Sequence, residues 1–413
     1  MNHIYRSLYN QALGAWVAVP EIARSRGKNG SRKTATVILP GKRFACTAIA
    51  SALLLASGQV MAVTGTDGGD TPNPAHNGNV CFFDTATKAV VCGDATTQTT
   101  GTNSIVLGID NGNVTATHSS IMGTSNAVTV ATTDVQIHGN NNTVQRNNAY
   151  VFGSKNTVTG ANIESVLAVG RENTVSGNNA LTVGRLNQAA GLASVAVGLS
   201  SKALGQDGIA IGNKAYASTS ENSVAIGGLT HAGQFGTALG ARTSVEGDQG
   251  AAVATGAVVK GARAVAVGSY SFAGTEDAVA LGHNTAATGS RAVAIGAGSV
   301  VSGARSGAWG AATNGGQPQN NTTDRSFVGG ADSYAIGNKN IIGDKSSDSF
   351  VLGNNVKLGA TGASIAITNV AGRDGTTKAS TRTNAVTYTG ATAITGAVAL
   401  GSDTSVTVNN GVA

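Results

Sequence analysis

One feature constrains the fold of this chain more than any other. A six-residue phrase, polar, Ser/Ala, large apolar, small, large apolar, Gly, returns about every 14 residues from residue 104 onward. NSVAIG occupies 222–227, RAVAVG 263–268, DAVALG 277–282 and RAVAIG 291–296. The closing glycines Gly170, Gly184, Gly198 and Gly212 are 14 apart, as are Gly268, Gly282, Gly296 and Gly310. Gly227 and Gly240 slip by one residue each way, and Ala254 stands where a glycine is due. Looser copies end at Gly108, Gly123, Gly139, Gly153, Gly337, Gly353 and Gly401.

Inside the phrase the alternation has period two, as in Val265-Ala266-Val267, which is the period of a strand and not of a helix. Many copies carry a second glycine seven residues on, at Gly205, Gly261, Gly289 and Gly303, with Gly274 one residue early. One unit therefore holds two short strands and two turns that glycine permits. That returns the chain to its starting side, displaced by one strand spacing. A single such coil cannot bury its apolar face, but stacked coils share a continuous core. The expectation is an all-β parallel solenoid of about 14-residue coils.

Residues one and three before the glycine are large (Val195 and Val197, Ile209 and Ile211, Val224 and Ile226), and the one between is Ala in most strict copies. The large residues are expected to fill the coil interior. The Ala column (Ala196, Ala210, Ala225, Ala266, Ala280, Ala294) is expected to face outward, close to the backbone of neighbouring chains about an axis. The column five before the glycine reads Arg263, Asp277, Arg291, Arg305. With coils about 4.8 Å apart, Asp277 relieves repulsion between Arg263 and Arg291.

Composition agrees. Gly numbers 58 of 413 residues without a strict three-residue period, which excludes collagen. The chain is 41% hydrophobic, too apolar for disorder. The net charge of +6 belongs to residues 1–62, which hold eight Lys/Arg and only Glu21. Without them, 19 of 27 basic and 20 of 21 acidic residues remain, so the basic balance is no sign of a nucleic-acid partner.

Residues 44–56, FACTAIASALLLA, form an apolar run after Lys42-Arg43, and Val60-Met61-Ala62 follows. Basic, apolar, then small is the layout of a secretory signal with a helical centre, here with cleavage expected between Ala62 and Val63. The run is shorter than the ~20 residues of a membrane span. Residues 1–28 resemble the extended signal peptide region of large autotransporters and two-partner secreted exoproteins. The match lies in Met1-Asn2, Ile4-Tyr5-Arg6, Asn10, Gly14 to Val19, Glu21 and Ala23 to Lys28.

With that leader, the tandem x-Ser/Ala-Val-Ala-Ile/Val-Gly units, NTVTG at 156–160, NTVSG at 173–177 and SFVLGNN at 349–355 resemble heads of YadA-like trimeric autotransporter adhesins. The resemblance implies a left-handed parallel β-roll, a homotrimer and binding to host matrix, cells or other bacteria. It implies export across the inner membrane and display at the cell surface and outer membrane. The division expected is 1–62 leader, 63–100 N-terminal segment and 101–413 head, roughly 20 coils or about 100 Å of rod. No coiled-coil stalk or barrel anchor is read, and 367–375 resembles only part of a neck, so a C-terminally incomplete chain is expected. Such a chain would be extracellular or periplasmic.

Cys81 and Cys92 flank a ten-residue stretch, and in an oxidising compartment they are expected to close a hairpin turning at Asp84 to Lys88. The six histidines lack metal spacing. His138 occupies the place of Leu107 and Val169, where three copies on an axis could gather imidazoles, but a packed or half-exposed ring is the expectation. Acids are sparse, with Glu276-Asp277 the one adjacent pair, and no phosphate loop or nucleophile elbow occurs. A non-catalytic protein without metal or cofactor is expected. Two other readings stand beside it: a two-partner secreted haemagglutinin-like exoprotein with a right-handed β-helix, and an ice-binding solenoid, which needs a Thr register absent here.

Overall fold

A computed structural model describes residues 5–10, 15–20, 80–93, 97–160, 165–312, 325–359 and 393–413. Contacts divide the chain into two units, 1–61 and 62–413. In the first, strands Tyr5–Asn10 and Ala15–Pro20 pair antiparallel. This described part of the leader is a strand pair and not a helix. The apolar run 44–56, the expected cleavage between Ala62 and Val63 and the neck-like stretch 367–375 lie outside the described residues.

The second unit is a parallel β-solenoid. Each coil contributes a strand of three to six residues to one ladder and a two-residue strand to a second. The long-strand ladder runs in parallel from Ala89–Gly93 through Ile105–Ile109 to Val398–Leu400. The short-strand ladder runs from Ala127–Val128 to Ser405–Val406, preceded by the pair Gln98–Thr99 and Asn113–Val114. Val195 pairs with Ile209, and Val265 with Val279, one period of 14. The register also holds across longer sequence separations: Gly307 pairs with Tyr334 and Phe350 with Val398. Nineteen parallel long strands are described, which at about 4.8 Å per step span about 86 Å.

The corners bend through left-handed backbone. Glu172, Asn179, Leu186, Ala193, Ser200, Asp207 and Lys214 all have φ between 52° and 58°, at intervals of seven residues. A coil is therefore two half-coils of similar shape. The closing glycines form one column in which Gly198, at φ +125°, would set a Cβ 2.0 Å from the Gly212 carbonyl oxygen. The second glycine serves differently from the expectation. Gly205 and Gly261 are not in left-handed backbone; that conformation falls two residues later, on Asp207 and Arg263. These glycines are there for space, since a Cβ on Gly261 would lie 1.7 Å from the Thr275 carbonyl oxygen.

The core reverses the expected faces. Ala196, Ala210, Ala225, Ala266, Ala280 and Ala294 are fully buried inside the coil. Val195, Val197, Ile209, Ile211, Val224 and Ile226 lie on the opposite side of their strands, half-exposed and pointing outward. The cause is coil thickness. Two-residue strands bring the ladders so close that an inward side chain meets the opposite sheet at once. Ala210 shares its core with Ala203 and Ala217 of the short strands. The small column does mark a close backbone approach, but within one chain. The N-terminal coils are thicker inside, with Val106, Ile121, Ile137 and Val151 facing Val114, Val128, Val144 and Val158.

Polar side chains complete one corner. Asn111, Asn126, Asn142, Asn156, Asn173 and Asn187 are stacked and buried. Asn142 Nδ2 donates to Asn126 Oδ1 at 2.9 Å and Asn156 Nδ2 to Asn142 Oδ1 at 3.0 Å. Each of these amides also donates to a column glycine, as Asn156 Nδ2 does to the Gly170 carbonyl at 2.9 Å. Hydroxyls take over further along: Thr243 donates to the Ala254 carbonyl and Thr285 to that of Gly296, both at 2.7 Å. Backbone carbonyls that the bend would leave orphaned in the interior are thus paired.

Candidate functional site

A solenoid offers faces in place of a cleft. The outer face of the long-strand ladder carries two apolar columns built by the period-two alternation. One runs through Val195, Ile209, Val224, Val265, Val279 and Val293, the other through Val197, Ile211, Ile226, Val267, Leu281 and Ile295. Parallel pairing keeps them in register. Ile226 and Val267 are each 38% exposed, and Leu352 at the far end 46%. Apolar residues scattered over a surface are ordinary, but columns sustained over this many coils, with Thr237 as an interruption of the first, are not.

The outer face of the short-strand ladder changes along the rod. Thr143, Thr157, Thr174, Gln188 and Lys202 are half-exposed. From Val258 the same position holds Val258, Phe272, Ala286, Val300, Phe327 and Ile341, a second buried apolar cluster separate from the coil interior.

The charged column lies at the left-handed corners. Arg263 Nε is 2.8 Å from Asp277 Oδ1, and Arg291 Nε is 3.8 Å from Asp277 Oδ2. Glu276 also bonds Arg263. Arg305 pairs with Asp332 at 2.6 Å. The hydrogen bond from Arg263 holds the Asp277 carboxyl below its ordinary value, and Arg305 does the same for Asp332. These pairs are exposed and lend little stability.

His138 is exposed on the long-strand face and stacked on Phe152, with ring centroids 5.3 Å apart. Among the described residues no group of His, Cys, Asp and Glu is arranged to hold a metal ion. Cys81 and Cys92 face each other across the antiparallel pair Val80–Asp84 and Ala89–Gly93 and are joined. The second strand of that pair starts the parallel ladder, so the hairpin covers its first edge.

The geometry therefore consists of stacked coils, repeating outer columns and a hairpin at one end. Residues 1–58 match the family model of the extended signal peptide of the type V secretion system. Residues 189–215, 203–230, 260–285, 276–299 and 287–306 match that of the YadA head domain repeat. The chain carries the leader and head repeats of trimeric autotransporter adhesins. No curated protein matches it. Within this adhesin head, the matched stretches leave out 231–259, where the spacing slips and Ala254 replaces the glycine. Leader and head together imply secretion to the cell surface, and heads of this family are generally non-catalytic. The asparagine ladder is the feature of the adhesin head that the pattern reading missed. Its sequence signal is an Asn three residues after Gly108, Gly123, Gly139, Gly153, Gly170 and Gly184.

Proposed function

We propose that this head is a left-handed roll that works as a homotrimer at the outer membrane surface, attaching the cell to host matrix, host cells or other bacteria without catalysis. One observation carries the assembly: the two half-exposed columns of Val, Ile and Leu along the long-strand face. In water such a stripe is a liability, whereas three chains packing it about an axis bury it and leave the short-strand faces and charged corners outside. The polar stretch from Thr143 to Lys202 and the Arg263–Asp332 corner then form the displayed surface. The Ala column plays no part in this packing, since it is interior.

Sedimentation of the chain and of Ile211→Asp tests the assembly. Three chains per particle are expected for the parent and one for the variant, with the β circular dichroism of both unchanged. A parent that sediments as a monomer at all concentrations removes the reading. Binding of the parent to immobilised matrix proteins and to whole cells, with loss in a variant that neutralises the Arg263–Asp332 corner, tests the attachment.

A further inference from the structure

The corners of the coils form two rows, one along each edge of the roll. The first row follows the long strand, as Lys214 lies between Ile209–Asn213 and Tyr216–Ala217. The second follows the short strand, as Asn222 lies between Tyr216–Ala217 and Val224–Ile226. Lys214, Arg242 and Lys339 of the first row have left-handed φ of 56°, 57° and 60°. The left-handed residues of the second row in the same coils are Asn222, Gln249 and Asp348. Glu221 and Asp248 stand directly before the first two. In these coils the charges are thus sorted by edge, with cations on the first row and acids on the second. Lys214, Arg242, Glu221 and Asp248 are all exposed.

Opposite charges of one coil cannot meet within the chain. Its two corners are separated by the length of a strand, about 15 Å where the strand has five residues, as in Ile209–Asn213. None of the described ion pairs contains Lys214, Arg242, Glu221 or Asp248. Further along, where the first row offers no cation, the second neutralises itself. That row reads Gly256, Tyr270, Asn284 and Gly298, and beside it Arg263, Asp277 and Arg291 pair along their own edge.

Three copies about an axis parallel to the rod bring unlike edges together. Rotation sets the first row of one copy beside the second row of the next, at the same height. The corners lie outside the apolar columns, where an interface has its polar rim. We infer that the two rows form an ionic seam between neighbouring copies of this head, with Lys214 and Arg242 of one copy against Glu221 and Asp248 of the next, an inference that rests on the trimeric packing of the long-strand faces. The seam selects one register. The apolar columns look alike from coil to coil and would also accept a copy shifted by one coil, about 4.8 Å. Such a shift in one direction brings Arg242 beside Arg263, and in the other beside Phe235. A staggered contact does not close into a ring, so the charges favour the closed trimer over an open array.

Sedimentation over a range of concentrations tests the seam. It compares the parent, Lys214→Glu with Arg242→Glu, Glu221→Lys with Asp248→Lys, and all of these substitutions together. The side chains are exposed, and Glu172 already occupies the row of Lys214 at φ 58°, so each variant is expected to keep the parent's β circular dichroism. Reversal of one row sets like charges across every seam. The trimer should then dissociate at a concentration at least about tenfold above the parent's. Reversal of both rows restores opposite charges and should bring that concentration back to within about threefold of the parent's. In about 1 M salt the differences should fade. If a single-row reversal does not fold, Lys214→Gln with Arg242→Gln takes its place, with a smaller loss that salt abolishes. A parent that holds together no more tightly than the single-row variants overturns the seam and leaves the trimer standing. So does a combined variant as weak as the single-row ones, since the charges then act within their own edge. A monomeric parent removes the trimer itself, and the seam with it.

Discussion

At Ala254 the backbone keeps a conformation that glycine serves in the neighbouring coils. Its φ is +94°, in the left-handed region an L side chain enters at a cost, while Gly240 and Gly268 on either side have φ of +129° and +124°. Strain of this sort costs of order 1–3 kcal/mol, partly offset because glycine loses more entropy on folding. Ala254→Gly is therefore expected to stabilise the chain by about 1 kcal/mol. Gly198→Ala should do the opposite, by about 2 kcal/mol or more, because its Cβ would also strike the Gly212 carbonyl. Urea unfolding of both variants checks the pair of signs. Asp277 carries a prediction of another kind. Its carboxyl is held below its unfolded pKa, first by the hydrogen bond from Arg263. A depressed acid contributes stability above its unfolded pKa and loses it as pH falls through the folded one. The melting difference between the chain and Asp277→Asn should thus be full at neutral pH, begin to shrink as pH falls through about 4, and vanish only at still lower pH, once the folded carboxyl is protonated. High salt should shrink it at neutral pH, since the pair is exposed. A difference independent of pH would place the effect elsewhere.

The asparagine ladder is the element on which the N-terminal coils depend. Asn156 accepts from Asn173 Nδ2 at 3.1 Å, donates to Asn142 at 3.0 Å and donates to Gly170. Asn156→Ala leaves a buried amide donor, a buried amide acceptor and a buried carbonyl short of partners at once. The expected loss is about 2–4 kcal/mol, above that of a single hydrogen bond. Denaturant titration should show it, and hydrogen exchange should show it centred on residues 142–173 and not on the hydroxyl-capped coils near Thr285. The elements also show what could be read beforehand. Coil length was legible because the glycine column is required twice over, by φ and by contact with the next coil. The faces were not. Alternation separates Val195 and Val197 from Ala196 but does not say which set points inward. The rule that large residues go inside fails when the interior is thinner than a valine pair. Gly205 and Gly261 misled in a related way, since spacing cannot distinguish a glycine needed for φ from one needed for room. The inward fold of Arg146 over Gly160 was invisible, because a lone arginine in NTVQRNN gives no sign of it.

At the scale of the whole rod, each coil packs chiefly against the one before and the one after, so stability is expected to be close to a sum of coil and neighbour terms. That makes the 14-residue unit removable, and the number 14 testable against 7. Deleting residues 199–212 joins Gly198 to Asn213, the residue that pairs with Leu199 in the next coil. Every column then closes over the gap. Val195 meets Val224, Ala189 meets Ala217, and Asn187 Oδ1 meets the backbone N–H of residue 215 in place of that of Ser201. Both half-coils are removed together, so each left-handed corner still falls on its own edge. Deleting 199–205 removes one half-coil only. The short strand Lys202–Ala203 is lost, and Ile209–Asn213 would follow Gly198 where a short strand belongs. The long strand would then arrive on the wrong ladder, with every later coil displaced by half a turn. The full-coil deletion should therefore keep the parent's β circular dichroism, cooperative melting and protease resistance. The half-coil deletion should lose cooperativity and be cut near residue 198. Equal tolerance of both deletions would mean that the half-coil, and not the 14-residue turn, is the unit of stacking.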